Sequence, residues 1–545
     1  MKSEIRSESD GESEVEGKVT TCQRHDCDVK RVNYDDFFGK GKYFCCRNCA
    51  VEYSVLASTE QFMKNSADQD RADLEDRSTL RFNGKSTVIA KSFQGKKRDK
   101  RESLFLWSRY LAQTKSRAAP VCAFPHAILS DDWDLIQPGM KVETYNLDSH
   151  SPSKLFWFAE VIRIEGYKAL LRYLGMEKNL MDFWVSLCST DVHPVGWAAR
   201  QELTISPPKC IEKTQRDWKR YIIENLQGRP TYPRDFQNTT DEELKIEGLN
   251  KGMFLEIVDP TCIRKTRVAF IEKLTGGGRI SLKFFDGQDD EIFACHIKSP
   301  VCHPLGWSQE VGHDRRDIPD DLYEDLKNNC IPAELFNQDA EQTTFVPQFE
   351  EGMKVEAVNA TRVNSICTAT IKKILGKGYL MIGIDASSNP EFANLVSSDA
   401  DFCYHWTSSC LQYTGFARDH NLTLTNAALE EVEWDDEDYM PEKIADQLKE
   451  RTAEKTNPFK VGWKLEAVDL MDPKLICPST VKNVCAGLLQ IGFDGWTDEY
   501  DQFIPWRSPD IYPAGWCELV NHQLQAPKEF VPDSKAAKRR RTGKS

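Results

Sequence analysis

The sequence predicts a mainly β protein: four copies of a small barrel, each with a helical arm, following a short cysteine-rich module. Three observations carry this expectation. An opening motif recurs as Gly139-Met140-Lys141-Val142-Glu143, Gly252-Met253-Phe254-Leu255-Glu256, Gly352-Met353-Lys354-Val355-Glu356 and Gly462-Trp463-Lys464-Leu465-Glu466, with the glycines 113, 100 and 110 residues apart. A closing motif follows each: His193-Pro194-Val195-Gly196-Trp197, His303-Pro304-Leu305-Gly306-Trp307, Tyr413-Thr414-Gly415-Phe416 and Tyr512-Pro513-Ala514-Gly515-Trp516. Between the two, short runs alternate in polarity. Leu489, Ile491 and Phe493 are separated by Gln490 and Gly492, the period of a half-buried strand. A repeat of about 100 residues is long enough to enclose its own core.

In chain order, residues 1–18 are almost all Ser, Glu, Gly and Lys and are expected to be disordered. Residues 19–55 carry two cysteine pairs, Cys22-x4-Cys27 and Cys45-x3-Cys49, separated by 17 residues. Two thiolate pairs at this spacing suit a tetrahedral structural zinc ion, with His25 and Cys46 as alternative ligands. So short a segment lacks the apolar core to fold alone, so metal binding would supply its stability. Lys30, Arg31, Lys40, Lys42 and Arg47 make it basic, which fits either weak nucleic-acid contact or ordinary solvated surface. Residues 56–102 form a polar linker with a basic run from Lys96 to Arg101.

The four repeats span 103–208, 209–315, 316–428 and 429–526. Trp107-Ser108-Arg109-Tyr110 and Trp218-Lys219-Arg220-Tyr221 mark helical arms. In the second of these, Trp218, Tyr221, Ile222 and Leu226 share one helix face. The arms are expected to pack on neighbouring barrels and join the four into one body. Residues 527–545 form a tail whose run from Lys535 to Arg541 reads as a nuclear import signal or a solvated basic end.

A net charge of −14 disfavours coating of nucleic acid by the whole chain and favours basic partners such as a lysine-rich tail. No window approaches the roughly 18 apolar residues of a membrane span, and the start Met1-Lys2-Ser3-Glu4 is no secretory signal. Cysteines scattered through core-forming blocks read as reduced, intracellular thiols. There is no HExxH, P-loop or GxSxG motif, so a binding protein is expected rather than an enzyme.

The four blocks serve as controls for one another. With Phe493, Trp496 and Tyr500 of the fourth taken as offsets 0, 3 and 7, the first offers Tyr173, Met176 and Leu180. The second offers Phe285, Gln288 and Ile292, and the third Ile384, Ser387 and Glu391. After the opening motif stand Asn146, Asp259, Asn359 and Asp469. Only the fourth block combines an acid with all three aromatics. Ring faces attract a cation that has shed much of its hydration, and a carboxylate accepts its remaining N–H. That combination fits a partly methylated ammonium. Taken singly the same residues have ordinary readings: Phe493 is in phase with the core, Trp496 follows a turn signal, Tyr500 fits a surface strand, and Asp469 fits a turn or cap.

The opening motif, the Phe493-Asp494-Gly495-Trp496 segment and the closing motif resemble those of malignant brain tumour (MBT) repeat proteins, and Phe44-Cys45-Cys46 resembles the start of the Phe-Cys-Ser zinc fingers found in part of that family. The resemblance covers about residues 19–55 and 103–526. It implies Tudor-like barrel cores and a methyl-lysine cage of Asp469, Phe493, Trp496 and Tyr500, with Asp472, where the family often has Asn, as a further candidate. It also implies a zinc site at Cys22, Cys27, Cys45 and Cys49. By the same resemblance the protein would be a nuclear reader of mono- and dimethylated lysine on histone tails, acting in a Polycomb-type repressor complex. The alternative is a scaffold of such a complex that makes little use of methyl-lysine.

Overall fold

Opening and closing motifs meet in space through one buried carboxylate per repeat. The computed structural model describes residues 20–21, 30–31, 55–64, 105–148, 155–177, 181–233, 236–288, 291–336, 348–386, 400–428, 430–432, 448–449 and 457–527. Within these, Glu143 accepts the amide N–H groups of Gly196 and Ala198, each at 2.7 Å. Glu256 accepts those of Gly306 and Ser308, Glu356 those of Gly415 and Ala417, and Glu466 those of Gly515 and Cys517. Each glycine has φ between 92° and 99°, which an L side chain rarely adopts, and each starts a short helix whose first N–H groups the carboxylate satisfies. Burial pushes the Glu143 and Glu466 carboxyls up despite these donors.

Each repeat is a five-stranded antiparallel sheet in the spatial order fourth, third, second, first, fifth. In the fourth repeat the strands are Lys464–Val468, Ile476–Cys485, Leu488–Phe493, Gln502–Pro505 and Ile511–Tyr512. The first repeat runs from Lys141–Tyr145 to Val192–Pro194, the second from Phe254–Val258 to Cys302–His303, and the third from Lys354–Val358 to Leu411–Gln412. The second and third add a short strand, Asp314–Arg315 and Leu424–Thr425, parallel to their second strand. In the second strand of every repeat a residue at the same place is bulged out of register, Ile162, Glu272, Lys372 and Lys482, and the second repeat has a further shift at Thr275. A bulge bends and twists its strand, so all four sheets curl at the same place.

The arms do form helices, and each covers the barrel that precedes it. Trp218–Leu226, capped by Asp217, sets Trp218 edge-on to Trp157 of the first repeat, with ring centres 5.2 Å apart. In Asp320–Leu326, the Tyr323 hydroxyl reaches Glu256 of the second repeat. Leu448 packs into the core of the third. The first arm, Trp107–Thr114, crosses to the fourth repeat, where the Trp107 indole N–H donates to Glu466 at 2.7 Å. Its continuation hydrogen-bonds Ala119 N to Lys464 O and Lys464 N to Arg117 O, both at 2.9 Å. Last barrel and first arm thus close a ring. The first and fourth repeats share one hydrophobic core, in which Phe124 meets Phe459 with ring centres 5.1 Å apart, and Phe62 of the helix at 55–64 packs on Trp157 within it. No helix of the described residues is long and apolar enough to cross a membrane.

Residues 1–18, Cys22, Cys27, Cys45 and Cys49, and the basic runs at 96–101 and 535–541 lie outside the described residues.

Candidate functional site

Antiparallel pairing brings two loops of the fourth repeat to the same end of its sheet: 469–475, after the first strand, and 494–501, after the third. Gln502, 1% exposed, ties them together. Its Oε1 accepts from Leu470 N at 3.2 Å and its Nε2 donates to Val468 O at 2.8 Å.

Asp469 opens the first loop. Its Oδ1 accepts the amides of Met471 (2.9 Å) and Asp472 (3.3 Å), and Oδ2 takes no hydrogen bond among the described residues. The other repeats build the same turn. Asn146, Asp259 and Asn359 accept from the amide two residues on, at 3.1, 2.9 and 3.0 Å. Turn-forming is therefore common to all four, and what distinguishes Asp469 is a charge with a free oxygen. Asp472 is exposed beside it.

The second loop is anchored by its own acids. Asp494 takes an ion pair from Lys464 (2.9 Å), the lysine of the opening motif, and a hydrogen bond from Thr480. Gly495, at φ 83°, permits the turn that brings Trp496 N to Phe493 O at 3.1 Å. A 3-10 turn, Asp498–Tyr500, follows. The bulged Lys482 holds it by pairing with Asp498 (2.6 Å) and Asp501 (2.7 Å). Burial pulls this ammonium's pKa down, but the two carboxylates outweigh it and hold the pKa above its usual value.

These restraints leave the Trp496 and Tyr500 rings 40% and 51% exposed, 5.2 Å apart at 64°. Asp469 and Tyr500 line one cleft, together with Met471 and a loop of the third repeat. Phe493 is 7% exposed and packs into the core shared with the first repeat. Asp469 and Tyr500 thus offer a cation an acceptor oxygen and an exposed ring in one cleft, while Trp496 stands edge-on to Tyr500 outside that lining and Phe493 lies in the core. Gln502 and Lys482 escaped notice in the sequence. Only the bulge, which a sequence does not announce, brings Lys482 to the acids of the turn.

The second repeat needs a correction. Strand pairing sets Phe284 opposite Ala269 as Phe493 is set opposite Ser479, so Phe284, and not Phe285, is its equivalent. The doublet Phe284-Phe285 lets the Phe-Asp-Gly string slide one residue out of true register. Counted from Phe284, the equivalents of Trp496 and Tyr500 are Gly287 and Glu291, which leave one aromatic and a second acid. The chain's own cations fill this end. The Arg267 guanidinium lies 4.0 Å from the Phe284 ring centre and pairs with Asp286 and Glu291, while Arg316 pairs with Asp259. In the third repeat Ile384 holds the aromatic position, and Ser387 and Glu391 lie outside the described residues. In the first, Tyr173 donates to Tyr145 O at 2.7 Å, while Leu180 lies outside the described residues.

A sequence model of the mbt repeat matches residues 140–212, 253–314, 353–428 and 463–531. MBT domain-containing protein 1 of Xenopus laevis is 36% identical over 526 residues, covering 93% of this chain and 82% of that protein. Polycomb protein Sfmbt of Drosophila melanogaster is 38% identical over 447 residues, 77% of this chain and 36% of that protein. A crystal structure of the four MBT repeats of Drosophila melanogaster Sfmbt, in complex with the peptide RHR(me)KVLR, superposes with a TM-score of 0.66 at 36% identity. It covers 78% of this chain and 99% of the other.

Proposed function

This chain belongs to the MBT-repeat family, and from that premise we propose that its fourth repeat reads mono- and dimethylated lysine on histone tails. One observation carries the reading: among the described residues, the fourth repeat alone keeps an acid with a free oxygen in one cleft with an exposed tyrosine, against which a part-exposed tryptophan stands. The methyl-lysine peptide in the Sfmbt crystal structure supports it. A mono- or dimethylammonium retains an N–H for Asp469; a trimethylammonium has none and would leave the carboxylate unpaired. Unmethylated lysine sheds its hydration at greater cost and fills the rings poorly. Each ring contributes on the order of 0.5–2 kcal/mol. Binding is weak because a single inserted side chain buries little surface. The chain acts as a reader and not a catalyst, in the nucleus, within a Polycomb-type repressor assembly, with a structural zinc ion held by Cys22, Cys27, Cys45 and Cys49.

The test is calorimetric titration of the chain with free lysine and its mono-, di- and trimethyl forms. Trp496→Ala should weaken dimethyl-lysine by about two- to thirtyfold. Asp259→Asn, whose wild-type carboxylate already serves Arg316, should leave it unchanged. Equal affinity of wild type and Trp496→Ala would end the cage assignment.

A further inference from the structure

We propose that the cleft between the third and fourth repeats, which the cage residues Asp469 and Tyr500 share, extends past them towards Arg362 and Glu499 into a second subsite for the same ligand. It seats the residue adjacent to the methylated lysine and selects a basic one through Glu499. This rests on the reader function proposed above.

The cleft has a volume of about 640 Å³, ample for one long side chain and its backbone. One wall is the third-repeat loop carrying Arg362, Val363 and Asn364; the other carries Asp469, Met471, Glu499 and Tyr500. Two bonds fix the walls to each other. Phe503 N donates to Val363 O at 2.8 Å, and Asn364 Nδ2 donates to Glu499 O at 3.0 Å. The space is therefore preformed, and a peptide entering it spends little on ordering the protein.

Its charges are unequally committed. Of the acids in the turn that carries Tyr500, Asp498 and Asp501 are both engaged by Lys482. Glu499 makes no ion pair among the described residues, and neither does Arg362 on the facing wall. Both are exposed, so each is available to a ligand. Met471 and Tyr500, 62% and 51% exposed, give the same cleft an apolar lining. An arginine or lysine next to the caged residue can lay its aliphatic stem on that lining and bring its charge to Glu499. Arg362 repels the same charge from the third-repeat wall and so sets the side on which it rests.

The test uses the full chain, free dimethyl-lysine, and dimethyl-lysine peptides whose adjacent residue is Arg, Ala or Glu. In the wild type the Arg peptide should bind on the order of three- to tenfold tighter than the Ala peptide. Glu499→Lys should invert the Arg-to-Glu preference, and Arg362→Glu should enlarge it. Comparing peptides on one variant cancels any change in the cage itself. An Arg-to-Glu ratio that is the same in wild type, Glu499→Lys and Arg362→Glu at one ionic strength would overturn the subsite and leave the cage standing. Failure of wild type to bind free dimethyl-lysine would overturn both.

Discussion

Closure of the ring can be tested at a single hydrogen bond. Glu466 is fully buried and accepts three N–H groups at 2.7 Å: Gly515, Cys517 and the Trp107 indole. Trp107→Phe keeps most of the buried ring and deletes the one donor that comes from the far end of the chain. A hydrogen bond to a charged group contributes about 1.5–3 kcal/mol, and an acceptor left short in a buried site forfeits most of it. Glu466→Gln is harsher, because it aims an NH2 at donors, although it also removes a charge that burial disfavours; about 2–4 kcal/mol is expected. A four-repeat chain need not unfold in one step, so global melting is a poor readout. Hydrogen exchange at the Gly515 and Cys517 amides reports the local opening instead. A loss of about 2 kcal/mol speeds exchange roughly 30-fold. Because the indole serves the same carboxylate that Glu466→Gln removes, the double variant should cost less than the sum, by about 0.5–3 kcal/mol. Strict additivity, or unchanged exchange in Trp107→Phe, would refute the view that the first arm locks the fourth barrel.

Three further predictions concern the junctions and the finger. Arg279 of the second repeat is buried, donates to Pro473 O in the loop that Asp469 opens, and neighbours Asp510. Arg279→Leu should destabilise this junction by about 3–5 kcal/mol by stranding Asp510, and should weaken dimethyl-lysine binding as the loop loosens; hydrogen exchange at the Val468 amide, which bonds Asp510 O, and titration check the two effects separately. His126 is half-buried between Ile511 O (2.8 Å) and the His296 ring, and desolvation by the surrounding protein pulls its pKa down to about 4. The unfolded chain therefore takes up a proton that the fold refuses, and stability falls as pH drops from about 6.5 towards 4, by up to about 1.4 kcal/mol per pH unit. Glu143, Glu466 and Asp510 act with the opposite sign, so the measurement is the difference in slope between wild type and His126→Gln, which should be flatter. Finally, the purified chain should hold one zinc ion by elemental analysis, and Cys45→Ser should lose it; retention would exclude Cys45 as a ligand.

The repeated blocks and the strand character of each barrel were legible because they rest on local rules. Polarity alternates along Leu488–Phe493, and a glycine stands wherever φ must be positive, as at Gly515. The arms were legible as helices for the same reason. What they pack against was not, since nothing in Trp107-Ser108-Arg109-Tyr110 names Glu466, more than 350 positions away. Register in the second repeat was misread because two adjacent phenylalanines satisfy the same string, and only cross-strand pairing separates them. At the site, residue types were readable because cation chemistry restricts them. Positioning residues were not: Lys482 matters through a bulge, and Gln502 through a loop that arrives from elsewhere in the sheet.

That asymmetry bears on why the proposed cage stands in the fourth repeat. Each degenerate repeat supplies a restraint the fourth cannot make alone. The first shares its core and, through the first arm, holds Glu466. The second grips Pro473 through Arg279. The third pins Glu499 through Asn364 and walls the cleft. A shallow cage gains little from its few contacts, so its affinity depends on rings and carboxylate already standing in place before the ligand arrives. The second repeat, with its own arginines lodged on Phe284 and Asp259, shows the same end of a barrel turned to internal cohesion. Once three barrels are used to hold the fourth rigid, a cation-binding end on any of them is free to become a structural ion pair.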